Sequence, residues 1–261
     1  RTLTTDAALD LDVLFRGVLA HNPARHAARI DIAGLPQIVS ASPEMYLARE
    51  GAVVSSAPIK GTSTCPETML AKDVTENVMI TDLVRNDLQH VCQPGTVAVE
   101  RLCAPESHPG LVHLVSDVVG TLRSGVTWAD VLSAAFPPGS VSGAPKSSAL
   151  TAIADLEPTP RGPYCGAIGW VDADDPAGPR GELAVGIRSF FATVDPDGVR
   201  RLRFGTGAGI TWASDPAGEW AECELKADVL VGRALGDELA DRLVTLAVDR
   251  REGGGDGRDD P

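Results

Sequence analysis

The sequence predicts an α+β domain in which large, mainly antiparallel sheets pack against helices. Three observations carry this. Strand-like segments arrive in runs, and helical segments are grouped instead of alternating with strands one for one. Gly and Pro break the strand runs into short pieces suited to hairpins. The 261 residues are 43% hydrophobic but only 4% aromatic, enough apolar matter for a sizeable core built from Val, Leu, Ile and Ala.

The elements follow from the hydrophobic period. Leu9, Val13, Leu14, Val18 and Leu19 recur at helical spacing and predict a helix over 8–21, with Asp6 as N-cap. Strand-like stretches follow at 28–32, 37–40, 45–48 and 53–56. Leu70, Val74, Val78, Leu83 and Leu88 restore the helical period over 66–90, and Gln93-Pro94-Gly95 stops it. Strands are expected at 96–100 and 112–122, then helices at 128–136 and 146–156 on either side of a Pro/Gly-rich loop at 137–145. Three more strands are predicted at 165–171, 182–194 and 201–205, and a last helix runs from about 216 to 235. These elements form one unit, residues 1–236, followed by a short extension, 237–261, whose Gly/Asp-rich end predicts a disordered tail. The chain opens at Arg1-Thr2-Leu3-Thr4 in strand-like sequence without Met, as expected of a fragment or processed product.

Composition excludes several function classes. A net charge of −13 and no basic patch argue against nucleic-acid binding. No apolar run reaches membrane-spanning length. Five cysteines at wide spacings, with no CxxC pair, argue against a zinc site and for reduced thiols in the cytoplasm.

Pro58-Ile59-Lys60-Gly61-Thr62 places a lysine on a turn bounded by Pro and Gly, just after a strand. A buried lysine loses its proton more readily, and its neutral amine is a nucleophile; a surface turn lysine fits the pattern too. Glu219, Glu222 and Lys226 share one face of the last helix, as a solvated Glu→Lys pair or as carboxylates around a cation. Glu76 and Asn77 follow Val74 and are expected to line a cleft. Carboxylates from two helices together with substrate oxygens would suit Mg²⁺. His113 lies in an alternating strand, where a structural role competes with a functional one. Gly205-Thr206-Gly207-Ala208-Gly209 offers free backbone N–H groups to an anion. Arg188 interrupts an apolar strand and needs an anion, for which a carboxylate is the best match. Tyr164 adds a hydroxyl donor. Together these pieces read as a Mg²⁺-dependent pocket for a small dicarboxylic acid.

In order along the chain come Ser42-Pro43-Glu44, Pro58-Ile59-Lys60-Gly61-Thr62, Glu76-Asn77-Val78-Met79-Ile80, Leu83-Val84-Arg85-Asn86-Asp87 and His113-Leu114-Val115-Ser116. They are followed by Phe136-Pro137-Pro138-Gly139-Ser140-Val141-Ser142-Gly143-Ala144-Pro145-Lys146, Arg161-Gly162-Pro163-Tyr164-Cys165-Gly166-Ala167-Ile168-Gly169, Ile187-Arg188, Gly207-Ala208-Gly209-Ile210 and Glu219-Trp220-Ala221-Glu222. This series resembles the chorismate-utilising enzymes over nearly the whole chain except the tail. It implies the anthranilate synthase component I-like fold without its N-terminal part. Glu76-Asn77 resembles the anthranilate and aminodeoxychorismate synthases, and Lys60 favours the latter, since anthranilate synthases usually carry alanine there.

The implied reaction is amination of chorismate to 4-amino-4-deoxychorismate, in the folate (p-aminobenzoate) branch. By resemblance, Lys60 adds to C2 of the ring while Glu44 protonates the departing 4-hydroxyl, and ammonia then expels Lys60. Glu76 and Glu222 would hold Mg²⁺ with Glu219 in support. Tyr164, Arg188, Gly207, Gly209 and Lys226 would hold the substrate carboxylates, with His113 lining the ring pocket and Thr62 contacting the substrate near the reacting carbon. No Gly-x-Cys-x-Gly nucleophile elbow is present, so a separate glutamine amidotransferase subunit is the implied ammonia source. An anthranilate synthase component I and a truncated non-catalytic paralogue are the competing expectations.

Overall fold

The computed structural model describes residues 1–6, 10–63, 65–108, 111–212, 214–235 and 244–245. The chain opens with β1 (Thr2–Thr5), α1 (Leu11–His21), β2 (His26–Ile30) and β3 (Gln37–Ser42). Then come β4 (Met45–Glu50), β5 (Val53–Ala57), β6 (Ile59–Ser63), a single 3₁₀ turn (Pro66–Thr68) and α2 (Ala71–Gln89). The middle holds β7 (Ala98–His108), β8 (Leu111–Thr121), α3 (Trp128–Ala135), α4 (Gly139–Ser142) and α5 (Lys146–Leu156). The last part holds β9 (Ala167–Asp172), β10 (Arg180–Val185), β11 (Ser189–Val194), β12 (Arg200–Gly205), α6 (Pro216–Leu235) and β13 (Val244–Thr245).

The strands form two sheets, as the fold class predicts. One has six strands in the order β13-β1-β12-β11-β3-β2. The other has seven, ordered β6-β8-β5-β4-β10-β9 with β7 paired to β8. The pairings among the described residues are antiparallel. Each sheet has its own core. Leu14, Val18, Val39, Phe190, Phe204 and Leu230 pack the first sheet against α1 and α6. Leu47, Val54, Leu88, Val118, Val131 and Val185 pack the second against α2 and α3. Each such side chain contributes about 1.5–3 kcal/mol by leaving water.

Local chemistry explains where elements begin. The Asp10 carboxylate accepts from the Asp12 N–H at 2.7 Å and the Val13 N–H at 3.3 Å. Asp10 therefore caps α1, not Asp6, and Leu11, Leu14 and Val18 are its buried stripe. The helix expected over 66–90 is a 3₁₀ turn followed by α2. Lys60, expected on a turn, lies in β6: Gly61 adopts φ +83°, and the register of β6 on β8 shifts between Ile59 and Thr62. The glycine supplies a bulge within the strand instead of ending it.

The strand expected over 182–194 is two strands in different sheets. β10 belongs to the seven-stranded sheet and β11 to the six-stranded one. The chain changes sheet at Gly186-Ile187-Arg188, where Arg188 takes φ +51°. The Arg188 carbonyl accepts from the Ala41 N–H at 3.0 Å, and the Gly186 carbonyl from the Cys165 N–H at 2.8 Å. A second crossing runs from β3 to β4 through Pro43-Glu44, and the Val185 N–H donates to the Glu44 carbonyl at 3.0 Å. The two crossings lie side by side at the seam of the sheets. Of the predicted extension, β13 is described and pairs with β1; the rest lies outside the described residues. No helix among the described residues is long and apolar enough to cross a membrane.

Candidate active site

The site grows from the seam. Glu44, at the first crossing, is 5% exposed. Burial pushes its carboxyl up to about 6, opposed by the Ser140 hydroxyl, the positive charge of Lys60 and the Ile59 N–H. Lys60 thus stands beside a buried acid, on the strand whose first N–H holds that acid. Gly61 is required here by packing as well as by φ, since a Cβ would stand 2.7 Å from the Asp73 Cβ of α2.

Two positions past Lys60, Thr62 lies opposite His113 on β8, with Thr62 Oγ1 2.9 Å from His113 Nδ1. His113 is 4% exposed, and its imidazole is pushed down to about 4 by burial, then by the charges of Arg188 and His108. Arg188, at the second crossing, therefore faces His113. Burial lowers its guanidinium, and it has no carboxylate partner among the described residues. Glu44, Lys60, Thr62, His113 and Arg188 form one continuous group.

A second group surrounds the loop after β12. The Tyr164 ring lies across Gly205, and a Cβ on Gly207 would meet its hydroxyl oxygen at 2.8 Å. Burial raises the Tyr164 hydroxyl far above its usual range, keeping it a neutral donor. The Lys226 ammonium donates to the Gly207 carbonyl at 3.1 Å and pairs with Glu222 at 2.6 Å. Ser214 donates to Glu219 at 2.6 Å. A Cβ on Gly209 would be 3.8 Å from Glu76 Oε2, so α2 and α6 reach the same loop from two directions.

The expected metal ligands do not converge as a set. No group of three His, Cys, Asp or Glu side chains among the described residues is placed to hold a metal. Glu222 is held by Lys226, Glu219 by Ser214, and Glu76 lies across the glycine loop. Their chemistry still fits Mg²⁺, which takes hard oxygen donors and usually only one or two carboxylates, with water and substrate completing the shell. Lys226, expected to be available to a substrate carboxylate, is tied to Glu222 because the i, i+4 spacing lays the two together.

Asn77 does not line the cleft. It is fully buried; its amide donates to the Leu114 carbonyl at 2.9 Å and its oxygen accepts from the Ser116 hydroxyl. Glu76, one position earlier, points the other way, to the loop. Ser140 and the Asp87–Lys146 pair at 2.7 Å lay inside the quoted motifs without a role assigned, and Tyr46 lay just outside them in the strand stretch 45–48. Their signal was polar residues in otherwise apolar surroundings, which spacing alone does not convert into contacts.

Fold and site define a two-sheet α+β protein with a buried acid and a lysine at the sheet seam, an arginine without a carboxylate partner among the described residues, and a glycine loop. The chain belongs to the chorismate binding enzyme family, whose profile matches residues 1–232. It is 40% identical over 233 residues to anthranilate synthase component 1 of Synechocystis, covering 82% of this chain and 44% of that protein. It is 40% identical over 205 residues to anthranilate synthase component 1 of Saccharolobus solfataricus, covering 74% and 47%. The crystal structure of anthranilate synthase component I from Streptococcus pneumoniae superposes with a TM-score of 0.76 at 30% identity, covering 88% of this chain and 51% of that one. The chain thus spans about half the length of the relatives it matches.

Proposed function

We propose that this chain carries the chorismate-aminating centre of an aminodeoxychorismate synthase component I, with residues 1–236 as the catalytic unit. The observation that carries the reading is Lys60 beside the buried acid Glu44. Glu44, whose proton affinity is raised by burial, gives its proton to the 4-hydroxyl, which leaves as water. The Lys60 amine adds at C2 as the C4–O bond breaks, and ammonia then adds at C4 and expels Lys60, splitting one hard displacement into two easier steps. Arg188, Tyr164 and the Gly207 and Gly209 backbone receive the substrate carboxylates, with Lys226 alongside. Thr62 and His113 wall the ring, the imidazole staying neutral. Mg²⁺ would be held by Glu76 and Glu222 with Glu219 in support, and would neutralise substrate carboxylate charge. Ammonia would come from a separate glutamine amidotransferase subunit.

A second reading is supported by the names of the matched relatives: anthranilate synthase component I, which also eliminates pyruvate. Product analysis separates the two. With chorismate, Mg²⁺ and ammonium at mildly alkaline pH, mass spectrometry is expected to find 4-amino-4-deoxychorismate and no pyruvate. Anthranilate with pyruvate would replace the first reading by the second.

A further inference from the structure

Behind Glu44 lies a small cavity, mostly apolar in its wall but with a few polar residues at it, that the proposed reaction leaves unused. Its volume is about 20 Å³, and Glu44, Tyr46, Ser56, Asp87 and Ser140 are the polar residues among those that line it. A cavity of that size admits one water, provided two to four polar groups hold it. Tyr46 is 6% exposed, and its hydroxyl finds no hydrogen-bond partner among the described residues. A buried hydroxyl in that state costs free energy unless something in the cavity satisfies it. Asp87 lies close enough for its charge to act on the Tyr46 hydroxyl, and its Oδ2 accepts from Lys146 at 2.7 Å. Lys146 also donates to the Ala135 carbonyl at 2.7 Å, which locks the pair in place.

We propose that this cavity is a built site for a single water, anchored by the Tyr46 hydroxyl, which joins Glu44 to the Asp87–Lys146 pair and makes Tyr46 a positioning residue for Glu44. The water accepts from the Tyr46 hydroxyl and from the protonated Glu44 carboxyl, and it donates to the Asp87 carboxylate and to Ser56. In that arrangement it favours the protonated acid and fixes its rotamer. The titratable groups facing Glu44 are Lys60 from β6, Tyr46 from β4 and Asp87 from α2, with Lys146 behind Asp87. Lys60 acts against the proton on Glu44, and the bridged water acts for it. The water site stands on the cavity alone; the positioning role in catalysis rests on Glu44 being the acid of the proposed reaction.

The test is the titration of Glu44 by ¹³C NMR of glutamate-labelled chain, with the signal assigned through Glu44→Gln and compared between the native sequence and Tyr46→Phe. The substitution removes one oxygen and keeps the ring. The expected result is a fall in the Glu44 midpoint of roughly one pH unit and a lower thermal midpoint for the variant. A high-resolution crystal structure is expected to show water density between Tyr46 and Asp87. A dry cavity, or an unchanged Glu44 midpoint with a raised thermal midpoint, would overturn the proposal, because deleting an unsatisfied hydroxyl from a dry site stabilises. The titration needs no turnover, so a shifted midpoint in a chain that does not aminate chorismate would keep the water site and remove only the reaction.

Discussion

Glu44 and His113 are both closed off from solvent, and burial moves them in opposite directions because it disfavours charge on either. For Glu44, about 6 in the folded chain against 4.5 ordinarily, the folded state binds the proton more tightly. Its contribution to stability is full below 4.5 and is lost as pH rises through 6, in all about 2 kcal/mol. For His113, about 4 against 6.5, stability is full above 6.5 and is lost as pH falls through 4, about 3 kcal/mol. Between pH 4.5 and 6 the two contributions largely cancel, so urea unfolding against pH should show from these two groups only a net rise of about 1 kcal/mol from the acid to the alkaline side. His113→Gln should remove much of the acid-side loss, and a loss of equal depth in that variant would refute the assignment. Glu44→Gln should leave the His113 rise unopposed, about 3 kcal/mol, and lower kcat roughly 10²–10⁴-fold. A kcat within a few-fold of the native value would show that Glu44 is not the acid. At this scale the sequence displayed the residue types and their motifs, including Lys60, Glu44 and Arg188. Burial, which makes the acid an acid and keeps the imidazole neutral, arises from tertiary packing and has no local pattern.

The elements meet through a few polar pins. Asn77 is the clearest: from α2 it grips the Leu114 carbonyl and Ser116 on β8, and Thr81 Oγ1 lies 3.3 Å from its oxygen. Asn77→Ala leaves a buried carbonyl and a buried hydroxyl without their partner and should cost about 3 kcal/mol, whereas the partly exposed Glu76→Ala should cost far less. Equal stability of the two variants by denaturant unfolding would contradict this pin. The helical period of α2 was readable because its apolar stripe repeats; the inward-facing amide was not, since Glu76 and Asn77 were expected to line one cleft together and spacing does not tell which of two polar neighbours faces the sheet. β10 and β11 were read as one strand for a related reason. Each carries the same apolar run, and a change of sheet leaves no trace in periodicity apart from Gly186 and the left-handed Arg188. The bulge at Gly61 was mistaken for a turn because glycine serves both.

The whole molecule is two antiparallel sheets stitched by two crossings, and the crossings are where Glu44 and Arg188 stand. A predicted α+β architecture with mainly antiparallel sheets is therefore what the chain adopts, and it sets the acid and the carboxylate-binding arginine on one seam though 144 positions separate them (188 − 44). Division into two sheets could not be read from strand content, since both have similar strands; it follows from which apolar faces find α1 with α6 and which find α2 with α3. The chain covers about half of its matched relatives, yet the residues assigned to the reaction fall within it. The claim that joins these scales is that Lys60 acts as a covalent nucleophile beside Glu44. Its most direct test is the rate of product formation by the native chain and by Lys60→Ala, followed by mass spectrometry with chorismate, Mg²⁺ and ammonium. The account predicts 4-amino-4-deoxychorismate from the native chain and none from Lys60→Ala, with chorismate binding still measurable in the variant. Equal turnover by both would contradict it.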